Sequence, residues 1–451
     1  DQAATVTYDA TTRSATLNPG ADLVSGTQYN ATISATVQDA TGNTPLTRDF
    51  VWTFTISTEM LLVSRNESGI TANNTSRFAD ISSDGRYLVF QSTATNLVSN
   101  VTVNGLDQIY RKDNVTGEVL LASSDSTGLV AANRAAINPR ISSNGRYIVF
   151  ESPSTNLDTL INSNGITQIY IKDMDDGSIE IASRDLSGSA DNSSDTAANA
   201  RVSDDGRFVI FQSADNDLST TIIGNAGVLQ VYLKDMSDES VEMISRILTT
   251  AGDDDSLNPD MSPDGSFVVF ESDADNLALT TNFRHIYYVD TTIAHAIEQI
   301  SVTTAGAGAD ANSLNPSISD DGSRIVFESD ATNLDVLDTN GTTDIYLRNR
   351  LTPASTDLVS ANPITQFSGN GASTRPDING SGEFVVFESN ANDLDGGNTG
   401  VIDIFIRDLS VTTAIEIVRI NIPVSGLAST SNSENPIISG DGRYAGFDSV
   451  E

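Results

Sequence analysis

One phrase is written seven times along this chain, and its recurrence limits the fold more than any other feature. It reads ISSDGRYLVF from Ile81, ISSNGRYIVF from Ile141, VSDDGRFVIF from Val202 and MSPDGSFVVF from Met261. ISDDGSRIVF from Ile318, INGSGEFVVF from Ile378 and ISGDGRYAGF from Ile438 complete the set. A period of about 60 residues marks a propeller or solenoid. Within each copy a Ser-x-Asp-Gly turn separates two apolar runs. Gly accepts positive φ and Asp bonds its own backbone, so the phrase predicts a β-hairpin. The Asp stands at Asp84, Asp205, Asp264, Asp321 and Asp441, with Asn144 and Ser381 in the same place in two copies. Asn serves such a turn as well as Asp does and Ser more weakly, whereas an acid catalyst or metal ligand does not tolerate that drift. The repeated Asp therefore reads as a turn residue.

Around each hairpin lie further strand-like pieces. QIYRKD at Gln108 is echoed by QIYIKD, QVYLKD, HIYYVD, DIYLRN and DIFIRD, and VLLASSD is echoed by IEIASRD, VEMISRI, IEQISVT, TDLVSAN and IEIVRIN. The second strand, RYLVF in the first copy, is apolar on both alternating faces, so it must lie in a sheet covered on both sides. The third, with Ile109 apolar and Arg111 polar, reads as a strand nearing the rim. Four-stranded antiparallel sheets packed face to face around an axis are propeller blades, and closure protects their edges. Seven inner hairpins, six third strands and seven fourth strands are present, because MLLVSRN near Leu62 precedes the first hairpin. This predicts an all-β, seven-bladed propeller whose last blade is latched by that early strand. Its missing third strand is expected beyond Glu451, where the sequence stops at FDSVE. A six-bladed ring would leave one hairpin over.

These residues resemble the TolB-like propeller repeats, whose blades carry Ser-x-Asp-Gly followed by an aromatic and an apolar run. The resemblance covers residues 59–451 and implies a β-propeller. The family includes periplasmic scaffolds and the non-catalytic propellers of some peptidases, so it implies little about activity.

Residues 1–58 alternate as half-buried strands: TVTYD, SATLNP, YNATISATVQD and FVWTFTIS, with turns at Asn18-Pro19-Gly20 and Asp39 to Asn43. The pieces SATLNP, GTQYNATI, VQDATGN and WTFTI resemble the bacterial Ig-like domains of surface and S-layer proteins, here lacking the family's first strand or two. Trp52, the only tryptophan, reads as a core residue of the last strand.

Charge excludes several partners. With 61 Asp plus Glu against 24 Lys plus Arg, the net charge of −37 offers no basic surface for a phosphate backbone and is repelled by anionic membranes. No apolar run reaches the roughly 20 residues that span a bilayer. There is no cysteine, which removes disulfides, thiolate metal sites and Cys nucleophiles together. The chain opens without Met or a signal sequence, as a mature or excised piece of a longer precursor would.

Chemistry is sparse. The two histidines, His285 and His295, lie ten residues apart, too few for a multi-histidine zinc site, and no Gly-x-Ser-x-Gly elbow presents a serine. No carboxylate pair stands out for glycoside cleavage. Calcium has a local signal in DTNGTTD, with Asp338, Asn340 and Asp344, and in DLDGGNTGVID, with Asp393, Asp395, Asn398 and Asp403. A solvated turn is the alternative reading of both loops. The composite expectation is a non-catalytic extracellular or cell-surface protein. Its propeller would meet a protein, a glycan or further copies of itself in a surface layer or filament. A polysaccharide hydrolase or lyase and a periplasmic scaffold are the alternatives.

Overall fold

The computed structural model describes the backbone of four N-terminal strands and residues 60–158, 165–184, 196–215, 218–219, 222, 227–277, 283–293, 296–395, 400–410, 415–422 and 431–449. The chain divides into two units, Asp1–Leu61 and Leu62–Glu451. In the first, Ala4–Asp9 pairs antiparallel with Ser14–Pro19, and Gln28–Ile33 pairs with Phe50–Thr55. These are the alternating segments of the sequence. The side chain of Trp52 lies outside the described residues.

The second unit is a β-propeller. Blade one comprises Ser76–Ile81, Tyr87–Ser92, Gln108–Asp113 and Val119–Leu121, paired antiparallel in that order. Blades two to six repeat this at residues 137–181, 197–243, 256–299, 313–358 and 373–419. The expected seven four-stranded blades are corrected to six: the last hairpin, Ser433–Ile438 with Ala445–Ser449, forms a two-stranded sheet. The latch is also corrected, since Leu62 to Ser64 forms no strand, and only a bridge between Arg65 and Thr71 follows.

The second strands are buried on both faces, as their pattern requires: Leu88, Val89 and Phe90 are core residues, and so are Val209, Ile210 and Phe211. The third strand is interior as well, which overturns its placement near the rim. All six residues of Gln108–Asp113 are buried. Arg111 reaches the neighbouring blade, donating to the Gly145 carbonyl at 2.9 Å and lying over the Tyr87 ring. Aromatic pairs from the second and third strands stack in each four-stranded blade, as Phe90 does on Tyr110 at 5.9 Å.

Two contacts recur from blade to blade. The side chains of Gln91, Glu151, Gln212, Glu271, Glu328 and Glu388 accept the backbone N–H of Asn138, Asn199, Asn258, Asn315, Arg375 and Asn435 in the following hairpin, at 2.6–3.1 Å. Each of those donors sits at a bulge with φ between 47° and 56°, a left-handed conformation that Asn tolerates better than most residues. The second contact lies at the Asp-Gly turns, whose glycines have φ near +70°. Tyr87 covers Gly145, Tyr147 covers Gly206, Phe208 covers Gly265, and a Cβ on any of these glycines would overlap the ring. Both contacts return to the start. Asp448 accepts the N–H of Phe78 at 3.0 Å, and Tyr444 covers Gly85. The seventh hairpin therefore occupies a position of its own between blade six and blade one.

Candidate functional site

The repeated Asp serves the turn. Asp84 Oδ1 accepts the Ser82 hydroxyl at 2.8 Å and the Arg86 N–H at 2.9 Å, while Ser82 Oγ accepts the Tyr87 N–H. Asn144 makes the same two bonds with Ser142 and Arg146. At Ser381 the task moves to Asn379, which accepts the Phe384 N–H and donates to the Ser381 hydroxyl. In blades one to three the residue after the glycine also grips the end of the third strand, through Arg86–Asp113, Arg146–Asp173 and Arg207–Asp235 at 2.6–2.8 Å.

The residues expected to hold calcium fall in two neighbouring blades. In blade five, Asn340 Nδ2 donates to Asp344 Oδ2 at 2.8 Å and to the Gly369 carbonyl at 2.6 Å. Ser360 donates to Asp344 Oδ1, and Tyr346 donates to Asp338 Oδ2. Among the described residues, Asp338 Oδ1 is buried without a hydrogen-bond partner. Burial pushes the Asp344 carboxyl up to about 8, the Ser360 bond opposing and Asp338 adding to the rise. In blade six, Asp395 and Asp403 flank Arg419 at 3.0 and 3.3 Å, and Asp393 accepts the Asn370 N–H at 2.9 Å. Asn398 lies outside the described residues. Among the described residues no group of three or more His, Asp or Glu side chains is arranged to hold a metal ion.

Asp344 and Asp403 open third strands, and the equivalent residues show what that position does. Gln108, Gln168 and Gln230 each accept the hydroxyl of the serine two residues beyond the fourth strand (Ser123, Ser183 and Ser245), at 2.5–2.6 Å. His285 Nδ1 meets Ser301 at 3.0 Å, and Asp403 accepts from Asn421 at 2.8 Å. The position fastens the third strand to the fourth. His285 is buried, and burial lowers its pKa to about 4, so the imidazole is neutral at pH 7. His295 lies outside the described residues.

Sequence reasoning missed the axis. A cavity of about 450 Å³ runs along it, lined by the penultimate residue of every first strand: Asp80, Arg140, Arg201, Asp260, Ser317, Asp377 and Ile437. The three carboxylates each accept a backbone N–H from the next hairpin, from Ile141, Ile318 and Ile438, at 2.8–3.1 Å. Asp260 also accepts from Arg201 Nε, and Asp377 from the Ser317 hydroxyl. Burial raises the Asp377 carboxyl to about 6. The Arg140 side chain makes no hydrogen bond or ion pair among the described residues; burial, then Arg201, lower its pKa. The signal was the position just before the closing Ile, Val or Met of a first strand, where five of the seven copies carry a charge and Ser317 and Ile437 do not.

The loops at the other end of the first strands are also built alike. Before a first strand the chain folds back on itself at Arg65–Thr71, Ser124–Ala131, Val302–Gly308 and Ala361–Ser368, and as the strand pair Arg246–Ile247 with Thr250–Ala251. Ile70, Leu129, Leu248 and Ile364 stand at four of these five tips, the last two 76% and 89% exposed. Asn73, Asn133 and Asn370 tie the loops to Thr95, Thr155 and Asn392 at 2.6–2.9 Å, so the tips are held on a rigid base.

Residues 1–56 match the family model of a bacterial Ig-like domain. No curated protein matches the chain. Among solved structures, a putative TolB from Agrobacterium tumefaciens is 17% identical over 63% of this chain and 80% of its own, with a TM-score of 0.38. TolB from Acinetobacter baumannii is 16% identical over 72% and 62%, also at 0.38. An oligogalacturonate lyase from Vibrio parahaemolyticus is 11% identical over 93% of both chains, at 0.48. The Ig-like resemblance expected from the sequence is thus met over residues 1–56. At these identities the likeness to solved structures is one of fold. Among the described residues no helix is long and apolar enough to cross a membrane.

Proposed function

We propose that this chain is a non-catalytic structural or adhesive protein of the bacterial cell exterior, whose propeller makes contacts with a protein, a glycan or further copies of itself. The observation that carries this reading is the set of rigidly based loops presenting Ile70, Leu129, Leu248 and Ile364 to solvent. Several large aliphatic tips on one end of a strongly acidic molecule are costly to leave in water and mark a contact surface. The axial carboxylates support the same reading, because their oxygens bond neighbouring hairpins. A triple variant, Leu129→Glu, Leu248→Glu and Ile364→Glu, tests it by sedimentation and by retention on purified cell-wall glycan. Wild type is expected to associate or bind, and the variant to lose that property at an unchanged melting temperature. Equal behaviour of the two proteins in both assays sinks the reading.

The axial cavity favours one alternative, a hydrolase or lyase acting on polysaccharide, because Arg140 faces it without a partner among the described residues. Release of reducing or unsaturated ends from acidic polysaccharide, abolished by Arg140→Met, would establish it. Calcium belongs to the proposal at Asp338 alone, whose buried Oδ1 has no partner among the described residues. Isothermal titration that gives neither heat nor thermal stabilisation removes it.

A further inference from the structure

Each first strand turns one backbone N–H away from its own sheet and toward the axial cavity. Ile141 faces Ile148 in a pair that exchanges no hydrogen bonds, because the ladder bond falls on the next residue, from Ser142 to Tyr147. Val202 opposite Val209 and Met261 opposite Val268 stand in the same register, with Ser203 and Ser262 making the ladder bond.

Four of these inward N–H groups are capped by the preceding first strand, from the position just before its closing residue. Asp80, Asp260 and Asp377 cap Ile141, Ile318 and Ile438 at 2.8–3.1 Å, and the Ser317 hydroxyl accepts the N–H of Ile378 at 3.3 Å. For Val202 and Met261 the capping position holds Arg140 and Arg201, whose guanidinium groups have no acceptor to offer. Among the described residues nothing caps either N–H. Arg201 turns to Asp260, through Nε at 2.9 Å, and the Arg140 side chain stays unpaired. Ile437 leaves the N–H of Ile81 uncapped as well, but brings no cation to it.

We propose that the axial cavity binds the carboxylate of a small molecule between Arg140 and Arg201, on the N–H groups of Val202 and Met261. The protein's own side chains show the chemistry: three carboxylates already sit on N–H groups of this register, and the two arginines occupy adjacent places that lack one. A guanidinium presents two parallel N–H bonds to a carboxylate. Withdrawn from water beside a second cation, as Arg140 is beside Arg201, it is costly without a counter-anion. Asp80 and Asp377 repel an anion, which confines it to the arginine side of the axis. The volume of about 450 Å³ is that of a small-molecule pocket.

Titration of glucuronate into the full chain at low salt, followed by heat and by amide exchange, tests this. A monosaccharide has no glycosidic bond to cleave, so the outcome is separate from the hydrolase or lyase reading and from the loop tips. Saturable binding is expected, with exchange slowed at Val202 and Met261 and unchanged at Ile141, which Asp80 already caps. Acetate should slow the same two amides and glucose neither. Tighter binding of glucuronate than of acetate would place the ligand among acidic sugars, and equal binding among simple carboxylic acids. Arg140→Met should weaken binding about tenfold, the worth of a hydrogen-bonded charge. Arg140→Asp copies Asp80, so it should slow exchange at Val202 without ligand and abolish binding. No slowing at millimolar glucuronate, equal slowing by glucose, or undiminished binding by Arg140→Met overturns the proposal. Fast exchange at Val202 in folded Arg140→Asp protein overturns the register on which it rests.

Discussion

Asp448 accepts the backbone N–H of Phe78 at 3.0 Å across 370 residues of sequence. It is the seventh instance of a bond that Gln91, Glu151 and their equivalents make between consecutive hairpins, and here it closes the ring. Asp448→Ala should speed amide exchange at Phe78 and cost about 1 kcal/mol, the net worth of a typical hydrogen bond. Asp448→Gln, which copies Gln91, should keep most of the protection. Unchanged exchange in the alanine variant would show that this bond does not hold the closure.

Gly85 and Gly69 both have positive φ, but only Gly85 lies beneath a ring, that of Tyr444. Gly69→Ala should cost about 1–2 kcal/mol, the strain of a left-handed alanine. Gly85→Ala should cost about 1–3 kcal/mol more, because the new methyl must displace Tyr444. Urea midpoints of the two variants compare them directly. Equal losses would mean that Tyr444 yields without resistance.

Asp344 titrates at about 8 in the folded chain because burial disfavours its charge. The folded state therefore holds a proton that the unfolded chain has already released, and stability falls as pH rises from the ordinary carboxylate range toward 8. Asp344→Asn should flatten this slope between pH 6 and 8 while leaving the rest of the pH profile in place. Parallel melting-temperature curves for the two proteins would refute the assignment.

Asp113 behaves in the opposite sense. Burial alone would raise its carboxyl, but the bonds from Arg86 and from the N–H groups of Val115 and Thr116 outweigh it and hold it at about 2. Its contribution is complete above the ordinary carboxylate range and is lost as pH falls through 2. Asp113→Asn should reduce the acid loss between pH 4 and 2. Arg86→Ser should lower stability only slightly, since the arginine is exposed and its ion pair is screened by solvent. A larger loss in denaturant titrations would mean that the pair is shielded from solvent.

Much of this architecture was legible in the chain. Positive φ at a Gly after Asp, and apolar character on both faces of RYLVF, are local properties, and each copy restated them. The count of blades failed because pairing is not local. A fourth-strand sequence at Leu62 forms no strand without a third strand beside it, and a two-stranded hairpin reads like the inner half of a complete blade. The calcium expectation treated each acidic loop alone. Set against Gln108, Gln168 and Gln230, Asp344 and Asp403 mark the residue that fastens the third strand to the fourth. The axial residues escaped notice because Asp80, Arg140 and Asp260 lie far apart in sequence and meet only when the ring closes.

The chain of acceptors from Gln91 round to Asp448 also bears on how the molecule comes apart. In an open solenoid the terminal repeats touch one neighbour and fray first. Here each hairpin caps the next and is capped by the one before, so no repeat is terminal. Loss of any one of them breaks two interfaces together, and fraying has no end from which to begin.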